Sequence, residues 1–209
     1  MENTLTYQSY LKSPYQSIKH SPYFTIYDEL FTRFRGKPIT FVEIGVLGGG
    51  SLFMWRDFFG PQARIIGVDF NPNAKKWEDH GFEIYIGSQS DPVFWKQFKE
   101  KVGVVDVVLD DGGHTYEQQI VTTEMMLPQI RDGGLLVVED THTSYMNGYG
   151  AKSLSFVAYI KSLIDKNNHR FNGLDTSKSD NRVWSIQCYQ SIVALHINRA
   201  SSTAPSVPT

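Results

Sequence analysis

Two pairs of acidic residues, Asp110-Asp111 and Glu139-Asp140, each follow a short apolar segment of this sequence. If those segments are neighbouring strands of one sheet, four carboxylates lie close together and repel one another unless protons or a cation intervene. Carboxylate oxygens suit a hard divalent ion such as Mg²⁺, which keeps open positions for water or a substrate hydroxyl. The alternative is that these acids only cap helices and shape loop turns.

A histidine follows the first acidic pair after a short glycine turn, in Gly112-Gly113-His114. Its ordinary pKa of about 6.5 suits a general base near neutral pH, so His114 is the candidate catalytic residue. The alternative for His114 is a structural role at the start of the next helix. His142 and His20 are weaker candidates, and a structural or surface role is expected for both.

Residues 41–51 combine an apolar segment that contains Glu43 with a glycine-rich turn and the start of a predicted helix. A strand that runs through glycines into a helix is the usual nucleotide cradle of doubly wound α/β folds. No Lys-Ser/Thr pair follows the glycines, which excludes a P-loop, and an acid at the strand end would repel a pyrophosphate. A cofactor with a cationic centre, a ribose and an adenine fits better, and S-adenosylmethionine (SAM) has these three parts.

The residues expected to contact this cofactor lie at or after the ends of predicted strands. Asp69 ends the second strand, where an acid can accept hydrogen bonds from both ribose hydroxyls, although it is also placed to cap the turn at Asn71-Pro72. The glycines let the backbone approach the methionyl part, and Ser88 and Gln89 follow the third strand, where groups that contact adenine are usual. The set taken from these segments is Glu43, Gly45, Gly49, Ser51, Asp69, Ser88 and Gln89.

Short apolar strands alternate with helices along most of the chain, a pattern typical of a buried parallel sheet. The predicted strands are residues 40–44, 63–69, 82–86, 104–109 and 135–138, and the predicted helices are residues 51–59, 91–102, 116–127 and 153–165. Residues 183–189 and 192–197 are separated only by Gln190-Ser191, which predicts a C-terminal β-hairpin. The expected fold is α/β, a Rossmann-like doubly wound and mostly parallel sheet with a C-terminal antiparallel hairpin.

Residues 1–37 precede the first strand and include a segment, residues 23–34, with the apolar spacing of an amphipathic helix. One interpretation is a helix packed on the sheet, and the other is a lid whose tyrosines, Lys19 or His20 contact cofactor or substrate. We therefore expect residues 1–199 to form a single domain with an N-terminal helical lid in residues 1–37. Residues 200–209 are small, polar and proline-containing, and are expected to form a disordered tail.

Composition narrows the classes of function and the location. Hydrophobic residues make up 41% of the 209 residues, enough for the core of one domain, and the net charge of −2 argues against a nucleic-acid partner. No apolar run approaches the ~18 residues that span a membrane, and no signal pattern is seen, so a cytoplasmic protein is expected. The single cysteine, Cys188, excludes an intrachain disulfide, and its alternating apolar neighbours predict a buried thiol.

Together these residues resemble the metal-dependent sugar O-methyltransferases of macrolide antibiotic pathways, of the mycinamicin and tylosin type. A related resemblance is to the cephalosporin-hydroxylase-like methyltransferases. The similar stretches are residues 43–45, 48–55, 66–69, 110–114 and 138–141, followed by Tyr145 and residues 148–150.

The resemblance implies a class I methyltransferase fold and SAM-dependent, Mg²⁺-dependent methylation of a hydroxyl on a sugar or other small natural product. It implies that the glycine loop and Asp69 hold SAM, with Asp110 beside the cofactor. It further implies that Mg²⁺ is bound by Asp111, Glu139 and Asp140, and that His114 takes the proton from the sugar hydroxyl.

Three features depart from the pattern that the resemblance sets. Leu47 stands where many methyltransferases have glycine, and Ser88 stands where an acid often contacts the adenine amino group. A counterpart of the large N-terminal domain that these macrolide enzymes use for assembly is not expected in these residues. A homo-oligomer is therefore left open. The rival functions are an N-methyltransferase without a metal and a catalytically silent SAM- or nucleoside-binding module. The acidic cluster argues against the silent module, because buried carboxylates without partners are costly.

Overall fold

The fold is that of a computed structural model, and the structure describes residues 2–171 and 173–204. Within these residues, seven strands form one sheet: β1 Thr40–Ile44, β2 Arg64–Asp69, β3 Glu83–Ile86, β4 Val105–Asp110, β5 Ile130–Val138, β6 Ser185–Cys188 and β7 Val193–His196. Their order across the sheet is β3-β2-β1-β4-β5-β7-β6. The first five strands are parallel, and β7 and β6 add an antiparallel hairpin at one side. The predicted Rossmann-like sheet with a C-terminal hairpin is confirmed.

Helices cover both faces of this sheet: α1 Leu5–Leu11, α2 Tyr23–Phe31, α3 Gly50–Phe59, α4 Pro92–Val102, α5 Tyr116–Met126, α6 Phe156–Asn168 and α7 Arg199–Ser202. Each buried strand sends alternate side chains to the two faces, as a pleated strand must. In β5, Leu135 and Val137 pack with α2 and α3, whereas Leu136 and Val138 pack on the face that carries α4 and α6. The near-continuous apolar strands of the sequence therefore reflect burial on both faces.

Local capping signals fix the starts of three helices. Asp91 accepts a hydrogen bond from the backbone of Val93 and precedes Pro92 at the first position of α4. Thr115 begins α5 with a reciprocal capping box that includes Gln118. Ser155 caps α6, so this helix begins at Phe156, three residues later than the sequence predicted.

The parallel register aligns the strand ends that carry the acidic and glycine-rich residues. Ile44 is level with Val68 of β2 and with Asp110 of β4. Backbone hydrogen bonds continue beyond the strands, from Asp111 N to Ile44 O and from Glu139 N to Asp110 O, both at 2.9 Å. The residues that follow β1, β2, β4 and β5 therefore meet at one edge of the sheet.

The N-terminal segment packs over this edge. α1 lies against α3 and is tied to α2 by hydrogen bonds from the backbone and hydroxyl of Thr6 to Asp28. Residues 12–22, which we call the α1–α2 loop, then cross the glycine-rich turn after β1, where Ser13 Oγ donates to Gly50 O at 2.8 Å. The helix predicted in residues 23–34 is present as α2 with a 3-10 turn at Thr32–Phe34, whereas α1 was not predicted. The role of residues 1–37 as a lid stays a proposal.

The structure corrects two expectations at the C-terminal end. Cys188 is exposed rather than buried, because β6 is an edge strand and its outer positions face solvent. The first part of the expected disordered tail instead forms α7, whose Asn198 side chain accepts a hydrogen bond from Ser201 N. Residues 205–209 lie outside the described residues. In the described part of the chain, no helix has both the length and the apolar character needed to cross a bilayer.

Candidate functional site

A cavity of about 640 Å³ opens at the carboxyl edge of the sheet. Its walls come from the residues after β1, β2, β3, β4 and β5, and the α1–α2 loop contributes Ile18, Lys19 and His20. This is where open parallel sheets bind ligands, because loops and helix starts surround the strand ends there. The cavity joins two chemically different regions, a glycine-rich side and an acidic side.

On the glycine-rich side, Asp69 holds the loop that follows β1. Its Oδ2 accepts hydrogen bonds from Val46 N at 2.8 Å and Leu47 N at 3.0 Å, and its Oδ1 accepts one from Asn71 N at 2.7 Å. Gly45, at φ +90°, has no room for a side chain, since a Cβ there would collide with the carbonyl of Asp111. Oδ2 already accepts two hydrogen bonds, whereas Oδ1 accepts one and keeps a free lone pair, so Asp69 can still accept a hydrogen bond from a hydroxyl in the cavity.

Four of the residues predicted to contact the cofactor line the cavity, namely Gly45, Asp69, Ser88 and Gln89. Gln89 is held rigidly, since its Nε2 donates to Asp110 Oδ1 at 3.0 Å and its Oε1 accepts from Gly113 N at 2.7 Å. Its amide therefore fixes the turn after β4 against the turn after β3.

The other four predicted contacts, Glu43, Gly49, Ser51 and Asp110, are not among the residues that line this cavity. Glu43 is buried and accepts hydrogen bonds from Ser51 Oγ at 2.8 Å and Trp55 Nε1 at 3.0 Å, which secures α3 beneath the glycine loop. Gly49, at φ +77°, packs against the ring of Trp77. Burial raises the pKa of both Glu43 and Asp110 to about 7.

On the acidic side, Asp111, His114 and Asp140 offer ligand atoms that all lie within 4.8 Å of one another. His114 Nε2 is 3.3 Å from Asp140 Oδ2 and 4.0 Å from Asp111 Oδ1. Both His114 and Asp140 have left-handed backbone conformations, at φ +59° and +54°, which are uncommon outside glycine and concentrate at functional sites. The carboxylates of Asp111 and Asp140 suit a hard divalent cation, so these two residues fit the implied Mg²⁺, whereas the imidazole of His114 beside them is not a usual Mg²⁺ ligand.

Glu139 lines the same cavity but is not part of this trio. Its buried carboxylate accepts a short hydrogen bond from Tyr27 Oη and lies 3.3 Å from the ammonium of Lys19. Burial raises the pKa of Glu139 well above its ordinary value, and the charge of Asp111 adds to this effect. The predicted ligands Asp111, Glu139 and Asp140 are therefore neighbours, but Glu139 already has other partners.

Lys19 lies among these buried acids, a position that the sequence did not predict. Its side chain is 1% exposed, and Nζ lies 2.6 Å from Asp111 Oδ2 and 3.8 Å from Glu43 Oε1. Burial lowers the pKa of Lys19, but the attraction of Asp111, Glu139 and Glu43 outweighs it, so the pKa is raised and the ammonium stays charged.

Two tyrosines of α2, one turn apart, contact the acids after β5. Tyr27 Oη donates to Glu139, and Tyr23 Oη donates to Asp140 Oδ1 at 2.6 Å. The helical spacing of these tyrosines predicts that they lie on one face of α2. Only their hydrogen bonds in the structure show that they contact Asp140 and Glu139. His20 and His142 lie at the rim, each 3.9 Å from Asp140 and about half exposed or more, which agrees with the expected surface role.

Comparisons with known proteins agree with this geometry. Residues 42–141 match the family model described as a methyltransferase domain. The chain is 38% identical over 153 residues to 8-demethyl-8-(2-methoxy-alpha-L-rhamnosyl)-tetracenomycin-C 3'-O-methyltransferase of Streptomyces olivaceus, covering 67% of this chain and 39% of that protein. It is 32% identical over 188 residues to mycinamicin VI 2''-O-methyltransferase of Micromonospora griseorubida, covering 82% of this chain and 44% of that protein. The chain thus spans less than half the length of these two relatives.

A solved structure extends the similarity to nearly the whole chain. The MycE methyltransferase from the mycinamycin biosynthetic pathway, in complex with Mg and SAH, superposes with a TM-score of 0.83 and 27% identity, covering 98% of this chain and 56% of that chain. Residues 42–141 therefore match a methyltransferase domain, the described chain has the class I Rossmann-like fold, and it is similar to sugar O-methyltransferases in both sequence and structure.

Proposed function

We propose that this protein is a SAM-dependent, Mg²⁺-dependent O-methyltransferase that acts on a hydroxyl of a sugar or another small natural product. The observation that carries the proposal is the single cavity that joins Asp69 and the glycine loop to Asp111, His114 and Asp140. The relatives named above support the acceptor class, since their names specify O-methylation of glycosylated compounds. A homo-oligomeric state and a cytoplasmic location stay predictions.

Each side of the cavity has a separate task in this proposal. The backbone of the glycine loop, Asp69, Ser88 and Gln89 would hold the cofactor, while Asp111 and Asp140 would hold the metal. When bound, SAM supplies the methyl group and the divalent ion lowers the pKa of the acceptor hydroxyl. His114 Nε2 accepts the hydroxyl proton, and Asp140, 3.3 Å away, stabilises the imidazolium that forms.

Removal of the metal tests this function directly. In excess EDTA, we expect methyl transfer to a panel of sugar hydroxyls to fall to background, whereas binding of S-adenosylhomocysteine persists, because Asp69 and the acidic trio lie on different sides of the cavity. Transfer is measured with labelled SAM, and binding by isothermal titration calorimetry. Full transfer in EDTA would exclude the metal role, and no cofactor binding in either condition would refute the cofactor assignment.

Asp69→Asn tests the cofactor side. In either orientation the asparagine nitrogen would face a backbone N–H, that of Asn71 or those of Val46 and Leu47, and an acceptor for the ribose would be lost. SAM affinity should therefore fall roughly 10- to 100-fold, or about 1.5–3 kcal/mol. Isothermal titration with S-adenosylhomocysteine measures the change. Asp79→Asn is the control, since Asp79 is an exposed acid in the turn that follows β2. Equal affinity of wild type and Asp69→Asn would contradict the assignment.

One observation favours the metal-free N-methyltransferase as the second candidate. Lys19 already neutralises part of the acidic cluster, so the carboxylates do not depend on an ion for a partner. That candidate predicts transfer to an amine in the presence of EDTA and no effect of added Mg²⁺. The same transfer assay, run with amine and hydroxyl acceptors side by side, separates the two functions.

A further inference from the structure

Lys19 places a cation within the acidic cluster, between Asp111 and Glu139. Its ammonium lies 2.6 Å from Asp111 Oδ2, and both oxygens of Glu139 face it at 3.3–3.4 Å. A lysine is rarely so buried unless it is paired, because an isolated ammonium away from water is costly. The chain thus carries its own positive charge at the edge where the proposed metal ligands meet.

Lys19 and a divalent ion would compete for the same carboxylates, those of Asp111 and Glu139. Mg²⁺ binds carboxylate oxygens at about 2.0–2.1 Å, and an ammonium at hydrogen-bonding distance from those oxygens would repel the ion strongly. Because both oxygens of Glu139 face Lys19, this carboxylate cannot join Asp111 and Asp140 around an ion until the lysine leaves.

We propose that Lys19 is an internal counter-cation, which neutralises Asp111 and Glu139 while no divalent ion is bound and withdraws from them when the ion binds. The inference rests on the proposed metal site and does not depend on the identity of the acceptor. It explains why the implied metal ligand Glu139 faces a lysine here, and it makes Glu139 a ligand of the ion-bound form.

The surrounding chain allows such a movement. The two neighbours of Lys19 have exposed side chains, with Ile18 81% exposed and His20 64% exposed. The fixed points on either side are the hydrogen bond from Tyr10 Oη to Ser17 O at 2.9 Å and the start of α2 at Tyr23. Withdrawal therefore requires a change only between these points, and the apolar core stays in place.

The movement would also alter the cofactor cavity, because Ile18, Lys19 and His20 form part of its wall. Ion binding then changes the opening through which cofactor and acceptor enter. The α1–α2 loop is part of residues 1–37, which are predicted from the sequence to form a lid, and ion binding would be the event that moves it.

Lys19→Met tests the competition, with Lys12→Met as the matched control. Lys12 lies in the same loop but pairs with Asp57 at the surface, 3.0 Å away and 64% exposed. Binding of Mn²⁺ to the full chain, without cofactor or acceptor, is measured by electron paramagnetic resonance. We expect Lys19→Met to bind Mn²⁺ at least ~10-fold more tightly than wild type, and Lys12→Met to be unchanged.

Thermal unfolding of the same proteins gives the second measure. In EDTA, Lys19→Met should unfold roughly 10 °C below wild type, because buried carboxylates lose their cation, and saturating Mn²⁺ should recover most of the loss. Lys12→Met should differ little from wild type, since exposed ion pairs contribute little. If Lys19→Met is destabilised but binds Mn²⁺ no more tightly than wild type, Lys19 is only a structural partner and the proposal is overturned.

A measurement on wild type covers the case in which Lys19→Met does not fold. Acetylation of lysines by an activated ester, read by mass spectrometry, should spare Lys19 in EDTA and modify it several-fold more at saturating Mn²⁺. Lys12 should react equally in both conditions. Equal protection of Lys19 with and without Mn²⁺ would overturn the proposal. Because none of these three measurements involves methyl transfer, transfer that is insensitive to EDTA would refute the proposed function and leave this result standing.

Discussion

His114→Asn should lower the rate of methyl transfer by about 10²- to 10⁴-fold, the range that a positioned general base contributes, while leaving affinity for S-adenosylhomocysteine nearly unchanged. The effect is confined to turnover because His114 lies on the acidic side of the cavity, beside Asp140, and away from the Asp69 side. Asparagine is the appropriate replacement, since it tolerates the left-handed conformation of this residue better than alanine does.

The measurement is a steady-state assay with labelled SAM, paired with calorimetric titration of S-adenosylhomocysteine and of Mn²⁺. His142→Asn is the matched control, because His142 lies at the same rim and interacts with Ser191. A base predicts unchanged Mn²⁺ affinity, whereas a metal ligand predicts that Mn²⁺ affinity falls together with turnover, since a nitrogen that binds the metal cannot also accept a proton. Unchanged turnover in His114→Asn would exclude both roles.

Asp111→Asn should remove most divalent-ion binding and lower methyl transfer by roughly 10³-fold or more. Asp111 is within reach of His114 and also pairs with Lys19, so one substitution removes a proposed metal ligand and the strongest partner of the internal cation. A ligand carboxylate converted to an amide loses its charge, and the attraction of a buried charge for a divalent ion amounts to several kcal/mol.

The control for this substitution is Asp106→Asn, on the same strand. Asp106 is a buried acid at the opposite end of β4, where it accepts from Thr40 N at 2.7 Å and pairs with Arg131 at 3.0 Å. Its replacement should reduce thermal stability and leave Mn²⁺ affinity unchanged. If Asp111→Asn bound Mn²⁺ as tightly as Asp106→Asn, the acidic cluster would not be a metal site.

The strand ends could be predicted from sequence because their pattern is local. Residues 40–44 were predicted and observed as a strand with the same bounds, and the acid or glycine after each apolar run marked where it ended. β5 was predicted too short, since its first residues are polar and glycine-rich and pair with β4 across an irregular register. The polar residues at the start of β5 gave no strand signal in the sequence, and only their pairing with β4 identifies them as part of the strand.

The direction in which each acidic side chain points could not be predicted from the sequence pattern. Glu43 and Asp110 were predicted to contact the cofactor, which stays a prediction. In the structure both carboxylates are buried, where Ser51 and Trp55 donate to Glu43 and Gln89 donates to Asp110. Whether a residue at a strand end faces the cavity depends on the packing of the helices beneath it, which the order of residues along a strand does not specify.

The sequence by itself determined the parallel α/β body, the hairpin that follows it and the edge at which the acids gather, because periodicity and the positions of glycine are local properties of the chain. Only the tertiary structure decided which acid has which partner. Lys19 approaches Asp111 and Glu139 across a sequence separation of 92 and 120 residues. A buried ammonium is stabilised by the combined attraction of the carboxylates around it, and those carboxylates come together only when the chain folds.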